Sequence, residues 1–529
     1  MLERLYERLD RYPEQQEFTP LKDNTVRSAL RYRTGLDSCP EVFVKRYKCR
    51  GWYDICKHLV YRSKALAEWQ ALCALEARGL PGPRPLAFSE KRRLLILRDS
   101  CLVMEALPDT RPLHEFIEQA RPGFSRRTML AVELGGLVRR LHRHGVYYRD
   151  LHAGNILIRP RDGGHDLWCI DLHRAVFTPR MLTWMRVNDL ARLCNSLPAT
   201  VTDGLRFLKE YCRGSDENEK TFGHLRRTIL SRQRRLRSRR ILSRSKRCIK
   251  NSTAFAKQST WAETCFVRRD FGREMTERAI ALHRDAVGRE HPAPDPSSKS
   301  LLTVHRPDDG MPYALCVKRY RYMGPVYALK NLFRKSRAHK SWLAANGLIV
   351  RSIQTPEPLA MLERTCGPLT VESIIITRWL EHARELHAYV DRQVAGMPED
   401  ARAGFIKGLA RALRQLHDSG VYHADLKANN ILVQEQAGGG QCFYFIDLDR
   451  VLFRAGLSFK QRANNLAQIN ASVSRLMGVK DRLKFFRFYA KGTAVYRERK
   501  RYYRKILAIS RTKITAPYNI DFNDVTSLK

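Results

Sequence analysis

Two loops in this chain hold the residues best suited to chemistry. Asp150 and Asn155 lie in the stretch 146–158, and Asp425 and Asn430 in the stretch 421–433. Each Asp stands five residues ahead of its Asn, and each loop runs into a short apolar segment. A second apolar run after each loop ends in another Asp, Asp171 in the first copy and Asp447 in the second. Upstream stand Lys45 and Lys318, each near the end of a strand-like segment. Phosphoryl transfer from ATP asks a protein mainly for positioning and charge neutralisation. A Lys must reach the α- and β-phosphates, oxygen and amide ligands must hold Mg²⁺, and a carboxylate must sit beside the attacking hydroxyl. These residues meet those needs. Asp150 and Asp425 serve as hydroxyl-orienting bases, Asn155, Asp171, Asn430 and Asp447 as metal ligands, and Lys45 and Lys318 as phosphate-binding lysines. Glu68, on the segment after Lys45, can pair with that lysine. A single Asp-x-x-x-x-Asn is a weak signal, because an Asp near a strand end is usually a turn or cap. The order of Lys, loop and later Asp, found twice, is what points to phosphotransfer.

The elements that must position these residues follow one plan in both halves. Residues 41–47 and 313–320 read as strands carrying the lysines, preceded by strand-like 25–32 and 300–304. A helical stretch at 62–78 sets Ala65, Leu66, Trp69, Leu72 and Leu75 in an apolar stripe with Glu68 beside it. Residues 336–342 match 63–69, and 355–360 match 82–87. A Gly-Leu-Pro-Gly-Pro run at 79–83 stops the first helix, and two apolar segments, 93–97 and 102–107, follow it. Residues 126–142 and 405–417 read as helices leading into the two loops. Helical character resumes at 187–193 and 204–211, and 464–467 answers the former. Residues 1–20 read as a short charged helix and lead-in, and 291–296 as a Pro-rich loop. His142, His144 and His152 cluster near the first loop and read as core or helix-end residues, since no Cys or carboxylate stands at metal spacing. The copies are too far apart for a solenoid unit and suit two complete domains, 1–250 and 251–529, each ending in a basic helical segment.

The stretches 150–157 and 423–430 resemble the catalytic loop of protein-kinase-like folds. Three further features resemble the lipopolysaccharide kinases of the Kdo/WaaP type: Val-Lys-Arg-Tyr at 44–47 and 317–320, Ser-x-Ala-x-x-x-Trp at 63–69 and 336–342, and Asp-Leu-x-Arg at 171–174 and 447–450. The resemblance spans most of both halves. It implies an α+β chain of two protein-kinase-like domains in tandem, each with a small β-rich N-lobe and a helical C-lobe. It also implies ATP-dependent phosphorylation of a sugar hydroxyl, heptose or Kdo, in the inner core of lipopolysaccharide at the cytoplasmic face of the membrane. The alternatives are a double kinase-like or pseudokinase scaffold that binds polyanions, and a kinase acting on protein or small molecules. Departures from the pattern set the two halves apart. Neither has a Gly-rich phosphate loop, so residues 24–28 and 297–300 would have to cover the phosphates. Tyr148 stands where the second loop keeps His423. Ser341 takes the place of Glu68, and no Glu occurs between Lys318 and Glu357. The first domain is therefore the better-equipped catalyst. The second is a kinase with an altered lysine anchor or a nucleotide-binding domain with little turnover.

A length of 529 residues and a hydrophobic fraction of 43% allow packed cores in more than one domain. The formal net charge of +42 draws polyanions. Its densest source, residues 226–247, has no acidic residue, and Leu225, Ile229, Leu236 and Ile241 give it a thin apolar side, as in an interfacial helix. The expected partners are a lipopolysaccharide core or other anionic glycolipid and the anionic inner-membrane surface. Nucleic acid is not expected, because zinc-finger spacing and RRM-type aromatics are missing. Thirteen cysteines without C-x-x-C pairs fit free thiols in a reducing cytoplasm. A signal peptide is not expected in residues 1–8, which lack an apolar core, and no uncharged apolar run is long enough to span a membrane. Any membrane contact is expected to be peripheral.

Overall fold

In the computed structural model the chain is an α+β molecule forming two compact units, Met1–Arg237 and Ser238–Lys529. The structure describes residues 18–23, 27–34, 40–48, 61–93, 96–120, 122–197, 200–214, 219–289, 300–321, 334–367, 369–436, 438–474 and 476–513. The expectations for residues 1–17, 24–26 and 291–299 lie outside these.

Unit 1 begins with β1 (Phe18–Asp23), β2 (Arg27–Arg33) and β3 (Glu41–Lys48), then α1 (Lys64–Glu76), then β4 (Pro85–Arg93) and β5 (Ile96–Glu105). The five strands form an antiparallel sheet in the order β1-β2-β3-β5-β4. Alternation along β3 puts Phe43, Lys45 and Tyr47 on one face. Val42 and Val44 face the other way and pack with Leu30, Cys101 and Val103. Lys45 thus stands in mid-strand, opposite Ala29 and Leu102, rather than near a strand end. Helix α1 starts at Ser63, whose hydroxyl accepts the Leu66 N–H at 3.0 Å, and the chain leaves it through Gly79 at φ +61°. Its buried face carries Ala65, Glu68, Ala71, Leu72 and Leu75. Glu68 is therefore inside the apolar stripe, not beside it. The segments read as 93–97 and 102–107 are also regrouped. Ile96, Leu97 and residues 102–105 belong to the single strand β5, whose polar centre conceals its continuity. Asp99 in that centre is neutralised by Arg46 of β3 at 2.5 Å.

The helical part of unit 1 contains β6 (Arg111–Pro112), α2 (Leu113–Ala120), α3 (Phe124–Arg143), β7 (Val146–Tyr147), β8 (Ile156–Arg161), β9 (Gly164–Cys169), β10 (Val176–Phe177), α4 (Thr183–Ser196), α5 (Val201–Tyr211) and the part of α6 (Glu219–Ser245) up to Arg237. Leu134, Leu137, Val138 and Leu141 of α3 form one core with Leu190 of α4 and Phe207 of α5. The first turns of α6 join this core through Leu225 and Ile229. Arg226, Arg227, Arg234, Arg235, Arg239, Arg240 and Arg244 remain exposed along the helix. Among the described residues no helix is long and apolar enough to cross a membrane.

Unit 2 builds a six-stranded sheet from β11 (Phe255–Ser259), β12 (Glu263–Arg268), β13 (Ser300–His305), β14 (Leu315–Tyr320), β15 (Pro358–Cys366) and β16 (Leu369–Arg378), with α7 (Gly272–Arg289) after β12 and α8 (Arg337–Ile349) after β14. Its order is β11-β12-β15-β16-β14-β13. The hairpin β11–β12 and helix α7 precede the repeated strands and were not foreseen. Strand β12 of the hairpin pairs along β15, covering an edge that would otherwise offer unpaired backbone groups. Lys318 lies within β14, opposite Leu302 and Ile375. There follow β17 (Arg384–Glu385), α9 (Leu386–Arg392), α10 (Glu399–Asp418), β18 (Val421–His423), β19 (Ile431–Glu435), β20 (Gln441–Phe445), β21 (Val451–Phe453), α11 (Phe459–Ser472), α12 (Val479–Ala490), α13 (Ala494–Arg497) and α14 (Arg499–Lys513). The basic helix α14 inserts Tyr502 and Ile506 into the core of α10, α11 and α12.

The helix-end histidines are structural. His142 Nδ1 lies 2.8 Å from the Tyr211 hydroxyl, and His417 Nδ1 lies 2.7 Å from the Tyr489 hydroxyl. Burial, aided by Arg462, lowers the pKa of His417 to about 3. In the unfolded chain it titrates near about 6.5, so below that pH the unfolded state takes up the proton first. The stabilisation is complete above about pH 6.5 and is lost as pH falls toward 3, at about 1.4 kcal/mol per pH unit. The urea midpoint is expected to drop between pH 6.5 and 4, and His417→Gln to flatten that drop. Equal slopes for the two proteins would refute this.

Candidate active site

In unit 1 a buried charge network joins the sheet, α1 and the segment after β9. Lys45 Nζ lies 2.5 Å from Glu68 Oε1 and 3.2 Å from Asp171 Oδ1. The Tyr47 hydroxyl donates to Glu68 Oε2 at 2.9 Å, and Arg27 reaches Asp171 Oδ2 at 3.2 Å. Lys45 is 2% exposed and Glu68 1%. Charges so far from water persist only when paired. Burial pushes the Asp171 carboxyl up, but His173, Lys45 and Arg27 outweigh it and hold the group well below the usual carboxylate range. Asp171 sits in the left-handed region at φ 65°, as Asp447 does at 56°. Such strain persists only where the surroundings over-determine it. His173 was not singled out in the sequence. Its ring, Asp171 and Glu68 offer ligand-type atoms within 4.8 Å of one another.

The loop hangs from its neighbours by backbone bonds. Asn155 Nδ2 donates to the Asp150 carbonyl at 3.1 Å. The Ile170 N–H donates to the Asn155 carbonyl at 3.0 Å, which ties the loop to the residue before Asp171. The Tyr148 hydroxyl reinforces this tie by donating to the carbonyls of Asn155 and Ile170. With its amide nitrogen so engaged, the atom Asn155 can offer a cation is its amide oxygen. Together with the Asp171 carboxylate this is an all-oxygen donor set, which fits a hard ion such as Mg²⁺. The Asp150 carboxylate faces two guanidinium groups, Arg192 at 3.2 Å and Arg174 at 3.7 Å.

Asp189 of α4 is a supporting residue that sequence reasoning placed only on a helix. Fully buried, it accepts the N–H groups of Tyr148 at 2.8 Å and Arg149 at 3.0 Å. Arg149 has φ 64°, an unfavourable conformation for a long side chain. Asp189→Ala would leave unmet the buried Tyr148 donor, at about 1–3 kcal/mol, and the part-buried Arg149 donor as well. A loss of about 3 kcal/mol or more is expected in urea unfolding, and a loss under about 1 kcal/mol would show that the loop does not depend on it.

In unit 2 the same bonds recur with altered partners. Asn430 Nδ2 donates to the Asp425 carbonyl at 2.7 Å, and the Ile446 N–H to the Asn430 carbonyl at 3.0 Å. His423 takes the place of Tyr148, with Nε2 3.0 Å from the Ile446 carbonyl and Nδ1 accepting the Asp425 N–H at 3.3 Å. Asn465 and Gln468 of α11 hold the loop through the carbonyls of His423 and Ala424. Asp425 meets Lys427 at 3.2 Å. Lys318 Nζ bonds Asp447 Oδ1 at 2.7 Å. Burial opposes its charge, but Tyr320 and Asp447 keep its pKa raised. Where Tyr47 meets Glu68, Tyr320 meets Ser341 at 3.0 Å. Arg337, at the start of α8, lies over the Tyr320 ring at 4.7 Å and bonds Asp449 at 2.6 Å.

A β-rich lobe carrying a paired lysine, then a helical lobe carrying an Asp-x-x-x-x-Asn loop and a later Asp, is the arrangement of protein-kinase-like folds. The chain belongs to the lipopolysaccharide kinase (Kdo/WaaP) family, whose model matches residues 16–211 and 326–489, more than half of it. Two 3-deoxy-D-manno-octulosonic acid kinases are similar to it. That of Xanthomonas campestris pv. campestris strain B100 is 38% identical over 136 residues, covering 26% of this chain and 51% of that protein. That of Stenotrophomonas maltophilia strain R551-3 is 35% identical over 136 residues, with the same coverage. The chain thus spans about half the length of the curated relatives it matches. The solved structure of WaaP in complex with acyl carrier protein aligns with 44% of this chain and 95% of that one, at 23% identity and a TM-score of 0.34.

Proposed function

We propose that the chain is a tandem of two kinase-like domains that transfers phosphate from ATP to a sugar hydroxyl of the lipopolysaccharide inner core, with unit 1 the principal catalyst. The observation that carries this is the Lys45–Glu68–Asp171 network standing beside a loop in which Asn155 is tied to Asp150. Lys45, held by Glu68, binds the α- and β-phosphates of ATP. Asn155 and Asp171 hold Mg²⁺, which when bound neutralises charge on the transferring phosphoryl group. Asp150 orients the acceptor hydroxyl for in-line attack and receives its proton. The kinship with the two 3-deoxy-D-manno-octulosonic acid kinases supports Kdo over heptose as the acceptor. Unit 2 keeps Lys318, Asp425, Lys427, Asn430 and Asp447 but lacks the glutamate, which supports nucleotide binding with lower turnover.

The exposed arginines of α6 support docking on an anionic glycolipid or the cytoplasmic face of the inner membrane, each basic residue near such a surface adding about 1 kcal/mol. The deciding experiment is transfer of labelled phosphate from ATP to purified Kdo-bearing and heptose-bearing lipid A acceptors, with and without a Mg²⁺ chelator. Transfer to a protein or aminoalcohol and to neither glycolipid would overturn the acceptor assignment.

A further inference from the structure

Asp150 does not stand free. One of its carboxylate oxygens faces Arg192 of α4 at 3.2 Å and the other faces Arg174 at 3.7 Å. A carboxylate held on both sides is poorly placed to accept a proton from a hydroxyl. The arginines are also poorly used. Arg174 is 54% exposed along its side chain, and Arg192 Nε is buried with no hydrogen-bond partner among the described residues. A guanidinium has five donors in a planar fork that matches a carboxylate or phosphate. Unit 2 differs at this point. Arg450 corresponds to Arg174, but Gln468 stands where Arg192 does, and it is spent on the loop backbone at the Leu426 N–H and the Ala424 carbonyl.

We infer that Arg192, with Arg174, is the acceptor-specificity element of unit 1: the pair binds an oxyanion on the acceptor sugar close to the hydroxyl that is phosphorylated. Binding that anion moves the guanidinium groups off Asp150 and releases the carboxylate to orient the hydroxyl. An acceptor without the anion leaves the base engaged. Unit 2, with Gln468, does not make this selection. The inference rests on the proposed phosphotransfer, and it names the chemistry of the acceptor that unit 1 takes. The oxyanion is either the carboxylate of a sugar acid or a phosphate monoester already on the sugar.

The test uses the full chain carrying Asp425→Asn, so that unit 2 does not contribute. Two probe pairs separate the sources: a Kdo methyl glycoside with its carboxyl-reduced form, and heptose 7-phosphate with heptose. Binding is read by calorimetry without ATP, and transfer by labelled phosphate. In one pair the anionic member is expected to bind and react better. Arg192→Gln should raise its KM about ten- to a hundredfold, the range of a charge-assisted bond, while KM for ATP stays within about twofold. KM for the neutral member should not rise, its transfer should increase as Asp150 loses its Arg192 partner, and Arg192→Lys should restore part of the preference. Equal effects of Arg192→Gln on charged and neutral acceptors would mean a merely structural arginine and would overturn the inference, as would wild-type indifference to charge in both pairs. Selective binding without transfer would sustain the inference while overturning the phosphotransfer reading.

Discussion

Asp150→Ala is expected to lower phosphate transfer by about 10²–10⁴-fold, the range of a positioned general base, and Asp425→Ala to lower it by less than about twofold. The asymmetry follows from what stands behind each aspartate. Behind Asp150, a lysine in mid-strand is held by a buried glutamate at 2.5 Å and reaches Asp171 at 3.2 Å. Behind Asp425, Lys318 lacks that glutamate and, among the described residues, pairs with Asp447 at 2.7 Å and no other carboxylate. A lysine whose one ion-pair partner among the described residues is the aspartate proposed to hold the cation must leave it before Asp447 can take that cation and Lys318 a phosphate. The loops themselves do not explain a difference, since Asn155 and Asn430 make the same bond to the preceding Asp carbonyl. Transfer by the two single mutants, measured with one acceptor at saturating ATP, decides the matter. Equal losses would show that Ser341 does not disable unit 2, and a larger loss for Asp425→Ala would reverse the assignment of the principal catalyst.

The residues that repeat were legible in the sequence, and those that act through distant contacts were not. Lys45, Asp150, Asn155 and Asp171 and their counterparts recur in order with compatible spacing, so chemistry and repetition found them together. The helices around the loops were legible from apolar periodicity, because α3 and α10 each bury one long face. Glu68 was found for its chemistry but misplaced beside the stripe, since periodicity counts only apolar residues and a buried carboxylate is recognised only once Lys45 is seen opposite it. The strand β5 was split in two because Arg98, Asp99 and Ser100 interrupt its apolar run, and only the Arg46 partner on β3 makes Asp99 tolerable there. The hairpin β11–β12 is short and mixed in character, and its strand state comes from pairing with β15 about a hundred residues later, as its register from Thr264↔Glu363 to Val267↔Ala360 shows. Asp189 and Arg192 meet the loop across 41 and 42 residues of sequence. No local pattern marks such a contact.

The lysine anchor itself gives the other large effect. Glu68→Gln keeps the shape of the side chain and a bond for the Tyr47 hydroxyl but removes the charge opposite Lys45. Lys45 is 2% exposed, so water cannot replace the lost partner, and breaking a buried pair from one side costs about 3–5 kcal/mol. Part of that cost is recovered if Lys45 moves fully onto Asp171, which reproduces in unit 1 the Lys318–Asp447 arrangement of unit 2. The expected result is therefore double. Urea unfolding of unit 1 should lose about 3 kcal/mol, and phosphate transfer should fall with a raised KM for ATP, because the lysine is held by the aspartate proposed to hold the cation. Glu68→Ser should give the same kinetic defect with a larger stability loss, since it also opens a cavity beside Tyr47. The reverse change, Ser341→Glu, is expected to draw Lys318 off Asp447 and strengthen ATP binding by unit 2, read in the Asp150→Ala background by calorimetry. It must also seat a longer side chain at a position 4% exposed, so its stability should fall by about 1–3 kcal/mol. Unchanged KM for ATP in Glu68→Gln together with unchanged ATP binding in Ser341→Glu would remove the glutamate from the mechanism and make the Lys45–Asp171 contact sufficient.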